Sequence, residues 1–208
     1  MSFVSALTSA ILPVLAIAGV GFVLGHFREV NVEPLSTVTI YVLTPALVFA
    51  SLANTTIEGS VIATLAVAVV AFTLVMVGLA EVAARAIGET GPFRSGMVLT
   101  SAFSNAGNYG IPLSAFAFGA TGRSTAVLYI AVQAVLMYTI GVYVASRGTD
   151  RDWTGAVAEV FKLPLVYAVL LAGAARFLDV VPPAGSTIMQ TITLTADAAL
   201  PVMLVMLG

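Results

Sequence analysis

Apolar residues run along this chain in long blocks separated by short clusters of charged and turn-forming residues. Each block approaches the ~20 helical residues needed to cross the hydrocarbon core of a bilayer. The pattern predicts seven spans: Phe3–Leu24, Leu35–Ala53, Val61–Ala84, Arg94–Phe118, Ser124–Ser146, Lys162–Leu178 and Thr187–Leu207. The sixth has the shortest clean apolar run, because Arg176 and Asp179 stand near its end. Their i, i+3 spacing predicts a snorkelling pair at the membrane surface. The longest polar connection is RGTDRDWTGAVAEVFK, from Arg147 to Lys162, and no soluble domain or low-complexity segment interrupts the series.

One block contains its own interruption. SNAGNYGIP, Ser104 to Pro112, lies near the middle of the fourth span and combines two asparagines, two glycines and a proline. Pro112 has no N–H and clashes with the preceding turn, and Gly107 and Gly110 permit dihedrals that other residues resist. Pro112 also suits the first turn of a new half-helix. Two half-helices would then meet near the bilayer midplane, one offering carbonyls and the other N–H groups. Lipid cannot satisfy such groups, so the backbone there must be buried in protein or line an aqueous cavity. The alternative is a glycine–proline kink with asparagines holding neighbouring helices together. Five such residues within nine, at mid-membrane, favour a built site. Asn105 and Asn108 supply donors and acceptors, Ser101 and Ser104 add hydroxyls, and the half-helix end favours an anion. The constellation suits a carboxylate held without a fixed positive charge.

Composition places all of this in a membrane. Of 208 residues, 60% are hydrophobic and 9% charged, where a soluble domain would carry about a quarter charged residues. Mean hydropathy is +1.07. The net charge of −2, without long basic or acidic runs, argues against nucleic acid as a partner. Cysteine is absent and His26 is the one histidine, which excludes thiolate sites and paired-histidine metal sites; no cofactor is implied. The N-terminal block lacks a basic leader and outruns a signal peptide's apolar region, so it reads as a retained span. Arg28, Arg85, Arg94, Arg147, Arg151 and Lys162 follow odd-numbered spans, whereas Arg123 and Arg176 lie on the other side. The positive-inside rule then puts the odd loops in the cytoplasm and the N-terminus outside the cell membrane.

A faint repeat relates the first two spans to the last two. LPVLAIAG from Leu12 matches LPLVYAVL from Leu163, and aligning Pro45 with Pro201 pairs Thr39 with Thr195. A repeat of five spans has an odd number of crossings, so its second copy is inverted, a transporter signature. On that arithmetic three spans of the second copy are absent. The expectation is therefore a fragment of a longer protein, or a chain completed by a second one.

Asp197 is the sole carboxylate near the centre of a span and is a candidate for proton or ion coupling, or else a neutral structural acid. Glu81 and Arg85, four apart, read as a surface ion pair. Gln133 and Tyr138 either face the site or tie helices together. His26 reads as a solvated interfacial side chain.

The motif N-x-G-N-x-G-x-P, read at Asn105, Gly107, Asn108, Gly110 and Pro112, resembles the crossover-helix motif of the auxin efflux carrier family of membrane transporters. LTPALVFASLA and AALPVMLVMLG resemble that family's second and seventh spans, and the resemblance covers essentially the whole chain. It implies an all-α integral membrane fold of two inverted five-helix repeats, here truncated after span 7 of about 10. Residues 1–53 and 162–208 would be scaffold helices, and residues 61–146 the transport-domain helices 3–5 with broken helix 4. Substrates implied are small organic carboxylates such as malate, malonate or auxin. The expected function is secondary, alternating-access transport of a dicarboxylate-like anion with H+ or Na+. Expected partners are that solute, the lipid bilayer and a second copy docking through the scaffold helices. A sodium-coupled symporter or cation antiporter of the related bile acid symporter type is the alternative. A membrane hydrolase lacks its nucleophile and base, and a retinal receptor lacks its lysine, because the one lysine, Lys162, begins the sixth span.

Overall fold

The computed structural model describes residues 3–55, 57–147 and 161–208; most of the Arg147–Lys162 connection, with Arg151, lies outside the described residues. Every described element is helical. The helices are α1 (Phe3–Phe27), α2 (Glu33–Val38), α3 (Thr44–Ala53), α4 (Gly59–Ala86), α5 (Gly91–Ala102), α6 (Ile111–Leu136), α7 (Val142–Ala145), α8 (Pro164–Phe177) and α9 (Thr187–Leu207). Wider π-helical turns join α2 to α3 (Thr39–Leu43), precede α6 (Ala106–Gly110) and join α6 to α7 (Met137–Gly141).

Five helical stretches are long and apolar enough to cross a membrane: Thr8–Phe27, Glu33–Ala53, Gly59–Ala86, Gly91–Ala145 and Thr187–Leu207. The fourth, at 55 residues, is far longer than one crossing requires. It is interrupted after Ala102 and again at Gly119, whose φ of 62° and ψ of −144° are non-helical. That conformation is open essentially to glycine alone. Just beyond it, Gly122 lies so close to the preceding helix that a Cβ would stand 2.2 Å from the Ser114 carbonyl oxygen. The predicted spans 4 and 5 are thus the two sides of a tight turn at Gly119. The predicted sixth span corresponds to α8, only 14 residues long.

The described residues divide into two compact units. The first contains residues up to Ile57, Asn105–Val127 and Pro164–Gly208. In it α3 packs against α8 and α9, and α1 against α9. Small residues make close approach possible: Ala168 and Ala172 of α8, and Ala196 and Ala199 of α9, are buried one turn apart. Leu47, Met203 and Leu204 fill the space between turns. Arg176 does not pair with Asp179; its guanidinium donates to the Leu52 carbonyl oxygen at 3.1 Å. That carbonyl lies in the last turn of α3, where it also accepts from the Thr55 N–H at 3.4 Å, and a cation is favoured there by the helix dipole.

The second unit contains Glu58–Ser104 and Leu128–Leu163. Here α4 packs on α5, and α5 on α7, around Ala80, Val98 and Val144. Most of α4 nonetheless turns apolar side chains outward, among them Val67, Phe72, Val75 and Leu79. An exposed apolar surface of that extent fits lipid as the solvent.

Candidate functional site

The interruption of the fourth span is real, and its geometry differs from the glycine-driven break expected. The helix ends at Ala102; Phe103 is extended, with φ −114° and ψ 98°. Asn105, at φ −74° and ψ 64°, is also non-helical. The chain then makes the π turn Ala106–Gly110, closed by the Gly110 N–H donating to the Asn105 carbonyl at 3.2 Å, and resumes as α6. Neither Gly107 nor Gly110 adopts a positive φ; among the described glycines only Gly88, Gly91 and Gly119 do. The break therefore falls at residues 103–105. Its cause is the competition of Asn105 for backbone groups, not left-handed glycine.

Asn105 carries this out directly. Its side-chain oxygen accepts from the Asn108 N–H at 3.3 Å, capping the turn that leads into α6. Asparagine is among the best residues for this role because its short amide reaches one orphan donor of the new helix. Pro112, in the first turn of α6, is buried beside Ile111 and needs no N–H there. Asn108, Gly107 and Gly110 are half-buried and Asn105 is exposed. The turn Ala106–Gly110 packs against α9 within the first unit.

On the other side of the break, in the second unit, Ser101 and Ser104 are exposed. The Ser104 carbonyl accepts from Gln133 Nε2 at 3.4 Å. Gln133 is buried in α6, so this amide serves as glue for the end of the first half-helix. Tyr138 lines a largely apolar cavity of about 410 Å³ with Phe103, at the start of the break, and Met137.

Asp197 sits mid-way along α9 and forms an ion pair with Arg123, Nη1 to Oδ1 2.8 Å, with just over half of the Asp197 side chain exposed. Sequence reasoning assigned Arg123 to a loop. It stands instead one turn into the helix after Gly119, where the chain turns back toward α9. Next to it, Ser124 Oγ donates to the Ser51 carbonyl at 3.1 Å. His26 is exposed, stacked on Phe22 with ring centroids 6.1 Å apart.

Glu81 is not half of a simple surface pair. Its Oε1 accepts from Arg85 at 3.2 Å, from Arg147 at 3.0 Å and from Arg94, and its side chain is only 14% exposed. The sequence showed only the i+4 partner. The others come from the start of α5 and the residues just past α7, so position at helix ends on one predicted membrane face was the signal to read. Among the described residues no cluster of three or more metal-ligating side chains is present.

An all-helical, multi-pass membrane fold with a helix broken within a span defines the class to which this chain belongs. Residues 6–208 match the family described as "Membrane transport protein", and the chain belongs to that family, the auxin efflux carrier family. It is by family a membrane transporter. No curated protein and no solved structure matches it.

Proposed function

We propose that the chain belongs to a secondary carrier that moves a small organic carboxylate across the cell membrane by alternating access, with H+ or another ion coupled to the movement. The observation that carries this reading is the non-helical backbone at residues 103–105, inside an apolar stretch and followed by an asparagine-capped turn. Each backbone polar group left unsatisfied in hydrocarbon costs several kcal/mol, so irregular chain at that depth is expected to line water or solute. The N-terminal end of α6 carries a partial positive charge suited to a carboxylate.

Ser101, Ser104, Asn105, Gly107, Asn108, Gly110 and Pro112 would form this chain's share of the substrate site. Asn108 would bind the solute through its amide, and Asn105 and Pro112 would shape the turn that presents it. Asp197 is the candidate for coupling. In this reading spans 1, 2, 6 and 7 are scaffold that supports a second copy, spans 3–5 belong to the moving part, and the N-terminus faces outward. The inverted repeat supplies the symmetry that alternating access requires.

Uptake of radiolabelled malate or malonate into proteoliposomes, under an imposed proton or sodium gradient, tests the proposal. Gradient-driven uptake abolished by Asn108→Ala is expected, with normal protein incorporation. Uptake unaffected by that substitution would reduce the break to a structural kink. Dependence on sodium without dependence on pH would replace the proton with sodium.

A further inference from the structure

The three arginines gathered on Glu81 line a cavity of about 510 Å³ in the second unit, together with Gly91, Ser95 and Tyr143. Among the described residues their charges do not balance: three guanidiniums converge on one carboxylate oxygen, two more positive charges than Glu81 offsets. Arg85 and Arg147 touch the same oxygen atom, so their contacting nitrogens are separated by no more than the sum of their two bond lengths. Guanidiniums held that close repel one another unless a second anion is available.

The arginines are also equipped to bind one. Each guanidinium has five N–H donors and spends one on Glu81 in the contacts described. Arg147 is further fixed by lying 5.3 Å from the centre of the Tyr143 ring. Arg94 and Ser95 lie in the first turns of α5, whose N-terminal end adds partial positive charge on the same side. A fork of planar donors around one anchoring carboxylate matches the several oxygens of a phosphate group.

Position narrows the ligand further. Glu81 and Arg85 lie in the last turns of α4, Arg94 in the first turns of α5, and Arg147 just after α7. All are helix ends, where a membrane span meets the headgroup layer, and basic pockets between spans are where anionic headgroups bind. We propose that Arg85, Arg94 and Arg147 form a binding site for a phosphate-bearing anion, either an anionic lipid headgroup or a soluble phosphate, distinct from the site at the break in the fourth span.

The full chain in a non-ionic detergent can be titrated with inorganic phosphate, with dihexanoyl phosphatidylglycerol and with dihexanoyl phosphatidylcholine, using calorimetry. Saturable binding of phosphate or of the glycerol lipid, with much weaker binding of the choline lipid, is expected. Arg85→Gln and Arg147→Gln should each weaken it about tenfold or more, the effect of losing a charge-assisted hydrogen bond. Arg85 is largely exposed, so Arg85→Gln should leave the thermal unfolding curve in place and serve as the folded control. Phosphate binding that displaces the glycerol lipid would identify a soluble ligand; binding of the lipid alone would identify the headgroup. Absence of saturable binding by both probes, or equal affinity in both variants and the unmodified chain, would overturn the proposal.

Discussion

Substitutions at Asn105 should separate stability from transport. Its amide oxygen caps the Asn108 N–H at 3.3 Å, and loss of an N-cap to alanine typically costs about 1 kcal/mol. Asn105→Ala should therefore destabilise the protein modestly. Asn105→Asp keeps the accepting oxygen and adds a negative charge at the start of a helix, where it gains about 0.3–1 kcal/mol. Stability should thus rank Asp at or above Asn, with Ala lowest. If a carboxylate solute binds at this helix end, the same aspartate opposes it. Two like charges ~5 Å apart at an effective dielectric of about 20 repel by roughly 3 kcal/mol, about two orders of magnitude in affinity. Transport should then rank Asn first, Ala second and Asp last. Thermal unfolding in detergent gives the first order, and concentration-dependent uptake of a radiolabelled dicarboxylate by the transport-competent protein gives the second. Wild-type uptake by Asn105→Asp would refute anion binding at the start of α6.

Three further outcomes follow from other contacts. Gly119→Ala should cost about 1–3 kcal/mol in unfolding measurements, because a Cβ at Gly119 meets no neighbour and the penalty is purely that of its backbone conformation. Asp197→Asn should change stability by less than about 1 kcal/mol, since its pair with Arg123 is more than half exposed on the aspartate side; loss of the pH dependence of uptake would identify it as the coupling group, and retained dependence would exclude it. Because the chain contains no cysteine, Ser104→Cys gives a clean accessibility test. It should react with a membrane-impermeant maleimide, whereas the lipid-facing Phe72→Cys should not.

Five apolar stretches of membrane-crossing length were legible in the sequence because length and apolar content answer directly to the thickness of hydrocarbon, whereas the predicted sixth span is a helix of only 14 residues. The break was legible from the composition of Ser104–Pro112, but its mechanism was not. Glycine identity announces permissiveness without saying whether it is used. Gly107 and Gly110 do not use it, whereas Gly119, unremarked between two spans, adopts the left-handed backbone that folds them into a hairpin. Charge partners were legible only within a helical turn. Glu81 and Arg85 are four apart, but Arg147 is 66 residues from Glu81 and Arg123 is 74 from Asp197. Those pairings depend on which helix ends share a level and which faces meet, and a single chain of letters carries neither. For the same reason the Arg176–Asp179 pairing failed: the C-terminal carbonyls of α3, invisible in the sequence of α8, compete for the guanidinium and win.

What separates the interrupted span from a packing kink is the disposition of its polar groups. In a kink, freed backbone and asparagine side chains are absorbed by neighbouring helices. Here part of that absorption occurs: Gln133 holds the Ser104 carbonyl and Asn105 holds the Asn108 N–H. The Ser101, Ser104 and Asn105 side chains, however, remain exposed, while Phe72, Val75 and Leu79 are exposed on a neighbouring span of the same protein. One solvent cannot suit both sets. Hydrocarbon against the α4 surface is favourable at about 25 cal/mol per Å² relative to water, whereas the same hydrocarbon against three polar side chains costs several kcal/mol. The chain is stable only if lipid covers the first surface and water, protein or a polar solute reaches the second. The carboxylate proposed above would be one such polar occupant, and it would give the interruption a function in a membrane transporter.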